Sequence, residues 1–149
     1  MALEEETCRQ GFTGKDSLEE YQGCLADKEF VYWIVEAANK AAGFAILAGV
    51  GSENRSVLIK RIAMAEPGKG LGREAMRQII RMAFTSYRAH RLWLDVYPEN
   101  ERARRLYRSL GFQEEGVMRD CIVDRGQFRS LILMSLLEGE AGAMGESNA

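Results

Sequence analysis

Pro67, Gly68, Lys69, Gly70, Leu71 and Gly72 place three glycines within five positions, between an extended apolar stretch and a long amphipathic one. Glycine is entropically costly to order, so the run asks for more than a turn. Without Cβ atoms the backbone can approach a bulky ligand closely. A helix starting here leaves its first N–H groups unpaired at the positive end of its dipole, an arrangement that suits a phosphate or pyrophosphate. Lys69 and Arg73 add full positive charges beside it. A plain glycine-rich helix start is the other reading of the same residues. Two familiar phosphate loops do not fit. A dinucleotide fingerprint needs a glycine where Arg73 stands, and a P-loop needs Ser or Thr where Gly70 follows Lys69.

Two further side chains could handle protons. Asp95 lies in a strand-like stretch, where carboxylates are depleted, on the same face as Trp93 and Tyr97. Apolar surroundings there raise a carboxyl pKa toward the useful range. An Asp bonded to a neighbouring backbone or Arg is the alternative. Tyr107 is a phenol at helical spacing from Ala103, Leu106 and Leu110, with which it could simply pack. Glu66, beside the loop, is a less favoured carboxylate. His90 is the only histidine, which leaves no partner for a catalytic triad or a histidine metal site. Cys8, Cys24 and Cys121 are too widely spaced for a zinc site or a disulfide framework, and no metal is expected.

The elements that must hold these residues follow from periodicity. Ser17 to about Ala26 reads as a short helix, with Ser17 and Glu20 as a capping box. Phe30–Glu36 and Gly43–Val50 read as a hairpin turning near Asn39 and Lys40. Ser56–Met64 reads as a third strand, with Val57, Ile59 and Arg61 on one face and Leu58, Lys60 and Ile62 on the other. A helix is predicted from Leu71 to Arg88, with an apolar stripe through Ala75, Met76, Ile79, Ile80, Met82 and Ala83. Leu92, Leu94 and Val96 alternate with Trp93, Asp95 and Tyr97 in a strand ended by Pro98. Asn100 is placed to cap a second helix that stops at Gly111. Phe112–Val123 and Gln127–Leu137 read as two last strands turning at Asp124, Arg125 and Gly126. The tail Glu138–Ala149 is polar and glycine-rich, and is expected to be disordered. The order βββαβαββ predicts a mixed, mostly antiparallel α/β sheet with helices on both faces.

The 149 residues suit a single domain, here 1–137, and 46% hydrophobic with 28% charged residues is ordinary globular usage. No apolar run approaches the roughly 20 residues of a membrane helix, and the acidic start is unlike a secretory signal. A cytoplasmic protein without membrane contact is expected. The net charge of −2 is unevenly spread: residues 1–54 carry 4 basic and 10 acidic groups, 55–129 carry 16 and 9, and 130–149 carry none and 3. Fourteen of the sixteen central basic groups are Arg, whose planar fork suits phosphate oxygens. The overall acidic balance argues against a nucleic-acid surface.

The glycine loop, the strand carrying Asp95 and the run Asn100, Glu101, Arg102, Ala103, Arg104, Arg105, Leu106, Tyr107, Arg108, Ser109, Leu110, Gly111, Phe112 together resemble the GNAT superfamily of N-acetyltransferases. The flavour is that of its ribosomal-protein N-terminal and polyamine acetyltransferases, and the resemblance spans about Phe30–Leu137. It implies that acetyl-CoA lies where two neighbouring parallel strands splay apart, here 57–64 and 92–97. The backbone of Ile62, Ala63 and Met64 would pair with the pantetheine arm. The amides of Gly68, Lys69, Gly70, Leu71, Gly72 and Arg73 would hold the pyrophosphate. Asn100 and Arg104 would be further cofactor contacts. Tyr107 would sit by the thioester sulfur as the acid that protonates the departing thiolate. Asp95 lies five residues before Asn100, where some members carry a Glu base, and would take the proton of the amine. One departure stands at the loop's start, where Pro67 replaces the family's Arg or Gln and brings no backbone N–H.

The activity so implied is transfer of an acetyl group from acetyl-CoA to a primary amine, by direct attack in a ternary complex. The acceptor is open among a protein N-terminus, a polyamine, an amino sugar or another small amine. Gly11–Ala26 and Glu114–Phe128 are the segments expected to select it, and a homodimer through the last strands is open too. The alternative is a module of the same fold that binds acyl-CoA without catalysis.

Overall fold

The computed structural model of the protein describes residues 30–65 and 70–141. The expected helix from Ser17, together with Cys8, Cys24, Glu66, Pro67, Gly68, Lys69 and the chain beyond Ala141, lies outside the described residues.

Six strands form one sheet in the order β1-β2-β3-β4-β6-β5. They are β1 (Phe30–Ala37), β2 (Lys40–Ala48), β3 (Ser56–Met64), β4 (Arg91–Val96), β5 (Gln113–Asp124) and β6 (Gln127–Leu137). Helix α1 (Leu71–Thr85) joins β3 to β4, and α2 (Glu101–Ser109) joins β4 to β5. All neighbouring strands are antiparallel except β3 and β4. Both crossovers advance in the same direction across the sheet, so right-handed connections put both helices on one face. The core agrees: Met76, Ile79 and Ala83 of α1 and Leu110 after α2 pack with Val57, Ile59, Leu92, Leu94, Ile132 and Met134. The opposite face holds Phe44, Ile46 and Ala63, with Phe30 and Tyr32 against them.

Both hairpins close more tightly than the residue pattern suggests. Ala38 and Asn39 sit at φ 52° and 64°, and Arg125 and Gly126 at 53° and 78°, the left-handed two-residue turns whose twist matches that of the strands. Consequently β2 begins at Lys40 rather than Gly43. It ends at Ala48 rather than Val50, because Gly49 turns at φ 78° and its carbonyl accepts from Ser52 N–H. Helix α1 stops at Thr85, short of Arg88, because Arg88 adopts φ 55° and the Ala89 N–H folds back to the Ala83 carbonyl.

The tail also differs from expectation at its start. Residues 138–141 form a helical turn. Arg55 pairs with Glu138 at 2.9 Å, the Glu138 N–H reaches the His90 carbonyl, Gln113 bonds Glu140, and Ala141 packs on the core. No described helix is long and apolar enough to cross a membrane.

One irregularity matters for the site. Ile46 opposes Arg61 and Leu47 opposes Ile59, so Lys60 is an extra residue, a β-bulge in β3. The alternation flips there. Val57 and Ile59 face the helices, but beyond the bulge Ile62 does, while Arg61 and Ala63 turn to the other face. The expected grouping of Arg61 with Val57 and Ile59 is therefore corrected.

Past the bulge, β2 and β3 are held close by a glycine. A Cβ on Gly43 would lie 2.5 Å from the Ala63 carbonyl oxygen and 2.6 Å from Met64 Sδ. The thioether could move, but the carbonyl belongs to the β3 backbone. Gly43→Ala is expected to cost about 1–3 kcal/mol, as overpacking of a close contact does, and to lower the denaturant midpoint with little change in slope.

Candidate active site

Strands β3 and β4 pair only through Ser56↔Arg91, Val57↔Leu92 and Leu58↔Trp93. Beyond Leu58 they part, while β3 stays paired to β2 as far as Met64 and β4 stays paired to β6 along all six of its residues. The gap is a cleft of about 320 Å³. Its walls are Ile59–Ile62 of β3 and Leu94–Tyr97 at the end of β4, with Asn100, Tyr107, Ile122 and Leu131 completing it. The strand edges facing the gap have no strand between them, so an extended ligand could add there as a strand does.

Helix α2 carries Tyr107 and is fixed at both ends. Asn100 caps it, its Oδ1 accepting from Ala103 N–H at 3.2 Å, a contact worth about 1 kcal/mol. That use of the oxygen leaves the Asn100 amide NH₂ for the cleft. At the other end Gly111 takes φ 101°, the Phe112 N–H reaches the Tyr107 carbonyl and the Gly111 N–H the Arg108 carbonyl, each at 3.0 Å. This is a Schellman cap, and its usual apolar contact is here the Tyr107 ring against Phe112, with centroids 5.9 Å apart. The same cap thus orients the phenol.

Burial pushes the Tyr107 hydroxyl up to about 12, and the Asp95 carboxylate acts in the same direction. The phenol stays protonated throughout the neutral range. Asp95 is itself raised above the usual carboxylate range by the cleft walls, partly offset by Arg61. Its side chain keeps contact with solvent, which limits the rise. Tyr97 is raised by burial and by Asp124, to which its hydroxyl donates at 3.2 Å. The cleft therefore joins a protonated phenol, a carboxyl of raised pKa and a nearby guanidinium.

The other residues singled out from the sequence fall in three groups. Ile62 lines the cleft, Ala63 is buried on the opposite face, and Met64 lies between Gly43 and Gly72, its Cγ 3.8 Å from where a Gly72 Cβ would sit. Gly70 caps α1 at φ 77°, a conformation that suits glycine, and makes no side-chain cap bond, so the first amides, those of Leu71, Gly72 and Arg73, head the helix without one. Arg73 donates to Ser109 Oγ at 2.8 Å and ties α1 to α2.

Arg104 was expected among the cofactor contacts. It is absent from the cleft wall; it donates to the Pro98 carbonyl at 2.9 Å and to Glu114 at 3.0 Å. Arg108 shares Glu114 at 2.6 Å, and the two guanidinium groups hold that carboxyl below its usual range. These ties anchor α2 to β5. Arg61 and Tyr97, by contrast, join the site without having been singled out for it. The signal for Arg61 was the Lys60-Arg61 pair, which interrupts the apolar alternation of β3. His90 and Cys121 are exposed and are not part of the cleft wall.

Comparison with known proteins places this geometry. Residues 1–112 match the acetyltransferase (GNAT) family model. The spermidine N(1)-acetyltransferase of Escherichia coli (strain K12) is 30% identical over 119 residues, which cover 79% of this chain and 64% of that protein. The chain thus spans a little under two thirds of that relative. The ribosomal protein uS5-alanine N-acetyltransferase of the same organism is 34% identical over 86 residues, 58% of this chain and 44% of that one. The crystal structure of spermidine N-acetyltransferase from Vibrio cholerae in complex with CoA and spermine superposes with a TM-score of 0.74 at 26% identity, covering 85% of this chain and 79% of that one. With a mixed six-stranded sheet parted between its two parallel strands, and a family match over most of its length, the chain belongs to the acetyltransferase (GNAT) family.

Proposed function

We propose that the protein transfers the acetyl group of acetyl-CoA to a primary amine, with Tyr107 as acid and Asp95 as base. The observation that carries this reading is the meeting of Tyr107, Asp95 and Asn100 in the single gap between β3 and β4. Ile62, Ala63 and Met64 offer the backbone edge for the pantetheine arm, and Asn100 its free amide. Gly70, Leu71, Gly72 and Arg73 offer amides at the head of α1 for the pyrophosphate, continuing from Gly68 and Lys69. The ties of Arg104 to Pro98 and Glu114 recommend it as a residue that positions α2 rather than a cofactor contact.

In this scheme the amine nitrogen attacks the thioester carbonyl and its excess proton passes to Asp95, directly or through water. The carbon–sulfur bond then breaks and the thiolate takes the Tyr107 proton. The relatives' named substrates, spermidine and an alanine of ribosomal protein uS5, support an amine as acceptor without choosing between those types.

Thiol release from acetyl-CoA across a panel of peptide, polyamine and amino-sugar acceptors tests the reading. CoA binding without release on any amine would leave a binding module instead. Tyr107→Phe is expected to lower kcat about 10²-fold while KM for acetyl-CoA stays nearly constant, the loss typical of one general acid. Asp95→Asn is expected to lower kcat/KM for the amine by a similar factor at pH 7. Its deficit should narrow as pH rises toward about 10, where free amine no longer needs a base. The sign follows from the raised Asp95 carboxyl: the wild-type rate falls as pH drops through that pKa, and this acid limb should be absent in the Asn variant.

A further inference from the structure

Behind Tyr97, on the outer side of the cleft, three charged residues form a closed set that the acetyl-transfer scheme leaves unused. The Arg129 guanidinium lies over the Tyr97 ring, 4.5 Å from its centroid. It pairs with Glu99 and, at 3.5 Å, with Asp124. Asp124 also accepts the Tyr97 hydroxyl at 3.2 Å. An aromatic face bordered by two carboxylates is the environment that holds an ammonium group, because ring quadrupole and carboxylates both attract a cation. In this chain its own arginine fills that environment.

The consequence is electrostatic. The cleft wall carries Lys60, Arg61 and Asp95, and the set behind Tyr97 carries Glu99, Asp124 and Arg129. Cations and carboxylates thus balance three to three. An acceptor bringing one charged nitrogen can give up its proton to Asp95 and react. An acceptor bringing a second charged nitrogen finds both outer carboxylates already engaged by Arg129, which cuts the charge of that set from −2 to −1. Ile122 lines the cleft and is the β-ladder partner of Arg129, so Arg129 and Asp124 sit on the strand pair that contributes Ile122 and Leu131 to the cleft wall, and Glu99 meets them from the β4–α2 connection.

We propose that Arg129 is a specificity-determining residue, whose guanidinium occupies the place of an acceptor's second positive charge and biases the cleft against diamines and polyamines relative to monoamines. The proposal rests on the acetyl-transfer reading for its turnover readout, but not for its binding readout. In acetyl transfer by Tyr107 and Asp95, Arg129 touches no reacting atom. It acts through charge, and salt should weaken the bias because the set is partly solvated.

The test compares 1,4-diaminobutane with butylamine, in the wild-type chain and in Arg129→Gln, Arg129→Lys and the double variant Arg129→Gln with Asp124→Asn. Two quantities are read: the ratio of kcat/KM values from thiol release, and the ratio of calorimetric dissociation constants in the presence of CoA. Arg129→Gln should shift both ratios about tenfold toward the diamine. Arg129→Lys, which keeps the charge, should stay near wild type, and the double variant should return toward it. Unchanged ratios in Arg129→Gln would overturn the proposal. So would a Lys variant that behaves like Gln, since that would make Arg129 a steric prop for Tyr97. If the wild type releases no thiol with any amine, the acetyl-transfer reading fails alone, and the binding ratios still decide the role of Arg129.

Discussion

The site depends on two parallel strands that start paired and do not stay paired. Three ladder positions hold β3 to β4, and then each strand follows its other neighbour. Parting a sheet exposes backbone N–H and C=O groups that must find water or a ligand. The structure sustains this because neither strand depends on the other: β3 is paired to β2 as far as Met64 and β4 to β6 throughout. The Lys60 bulge adds twist at the point where the separation begins. A regular β3 would carry Arg61 toward the helices and the apolar core. The bulged one turns it to the Asp95 face, where its charge moderates the carboxyl.

The cleft in turn needs a helix whose position does not drift. None of α2's residues is fully buried, so packing alone holds it weakly. Polar ties compensate. Asn100 and the Gly111 turn close its ends, Arg104 and Arg108 converge on Glu114 of β5, and Arg73 reaches across from α1 to Ser109. Exposed ion pairs contribute little stability singly. Their value here is directional, since together they fix how far the Tyr107 hydroxyl projects into the gap.

Much of this was legible in the residue pattern where one rule governed locally. Strands β3 and β6 run over the residues that period-two alternation marks, and Asn100 and Gly111 bound α2 as capping chemistry requires. The pattern failed where two-residue or one-residue events decide geometry. Ala38 is not a residue that announces a left-handed turn, and Arg88 is not one that announces the end of a helix. A bulge adds one residue and leaves the composition untouched, so the partner of Asp95 was hidden in an apparently regular strand. Arg104 was expected as a cofactor contact on the resemblance alone, and no spacing in the residue pattern spoke to its partners. Only the fold shows that Glu114, ten residues on, claims it. The helical turn at 138–141 was masked by its polar composition, since tertiary bonds from Arg55, His90 and Gln113 hold it.

The two candidate proton handlers are best understood as one electrostatic unit. Burial raises both Tyr107 and Asp95, but it acts with opposite consequence. For the phenol it secures the proton, and the Asp95 carboxylate nearby secures it further. For the carboxyl it makes the ionised form a stronger base, while Arg61 keeps that form populated. Had Arg61 remained on the helix face, the rise of the Asp95 carboxyl would lack the charge that offsets part of it. Had Asp95 been absent, the phenol would be held less firmly. The pH window between the raised carboxyl and a phenol near 12 is therefore set by three residues on three elements, β3, β4 and α2. It is the parting of β3 from β4 that opens one cleft to all three.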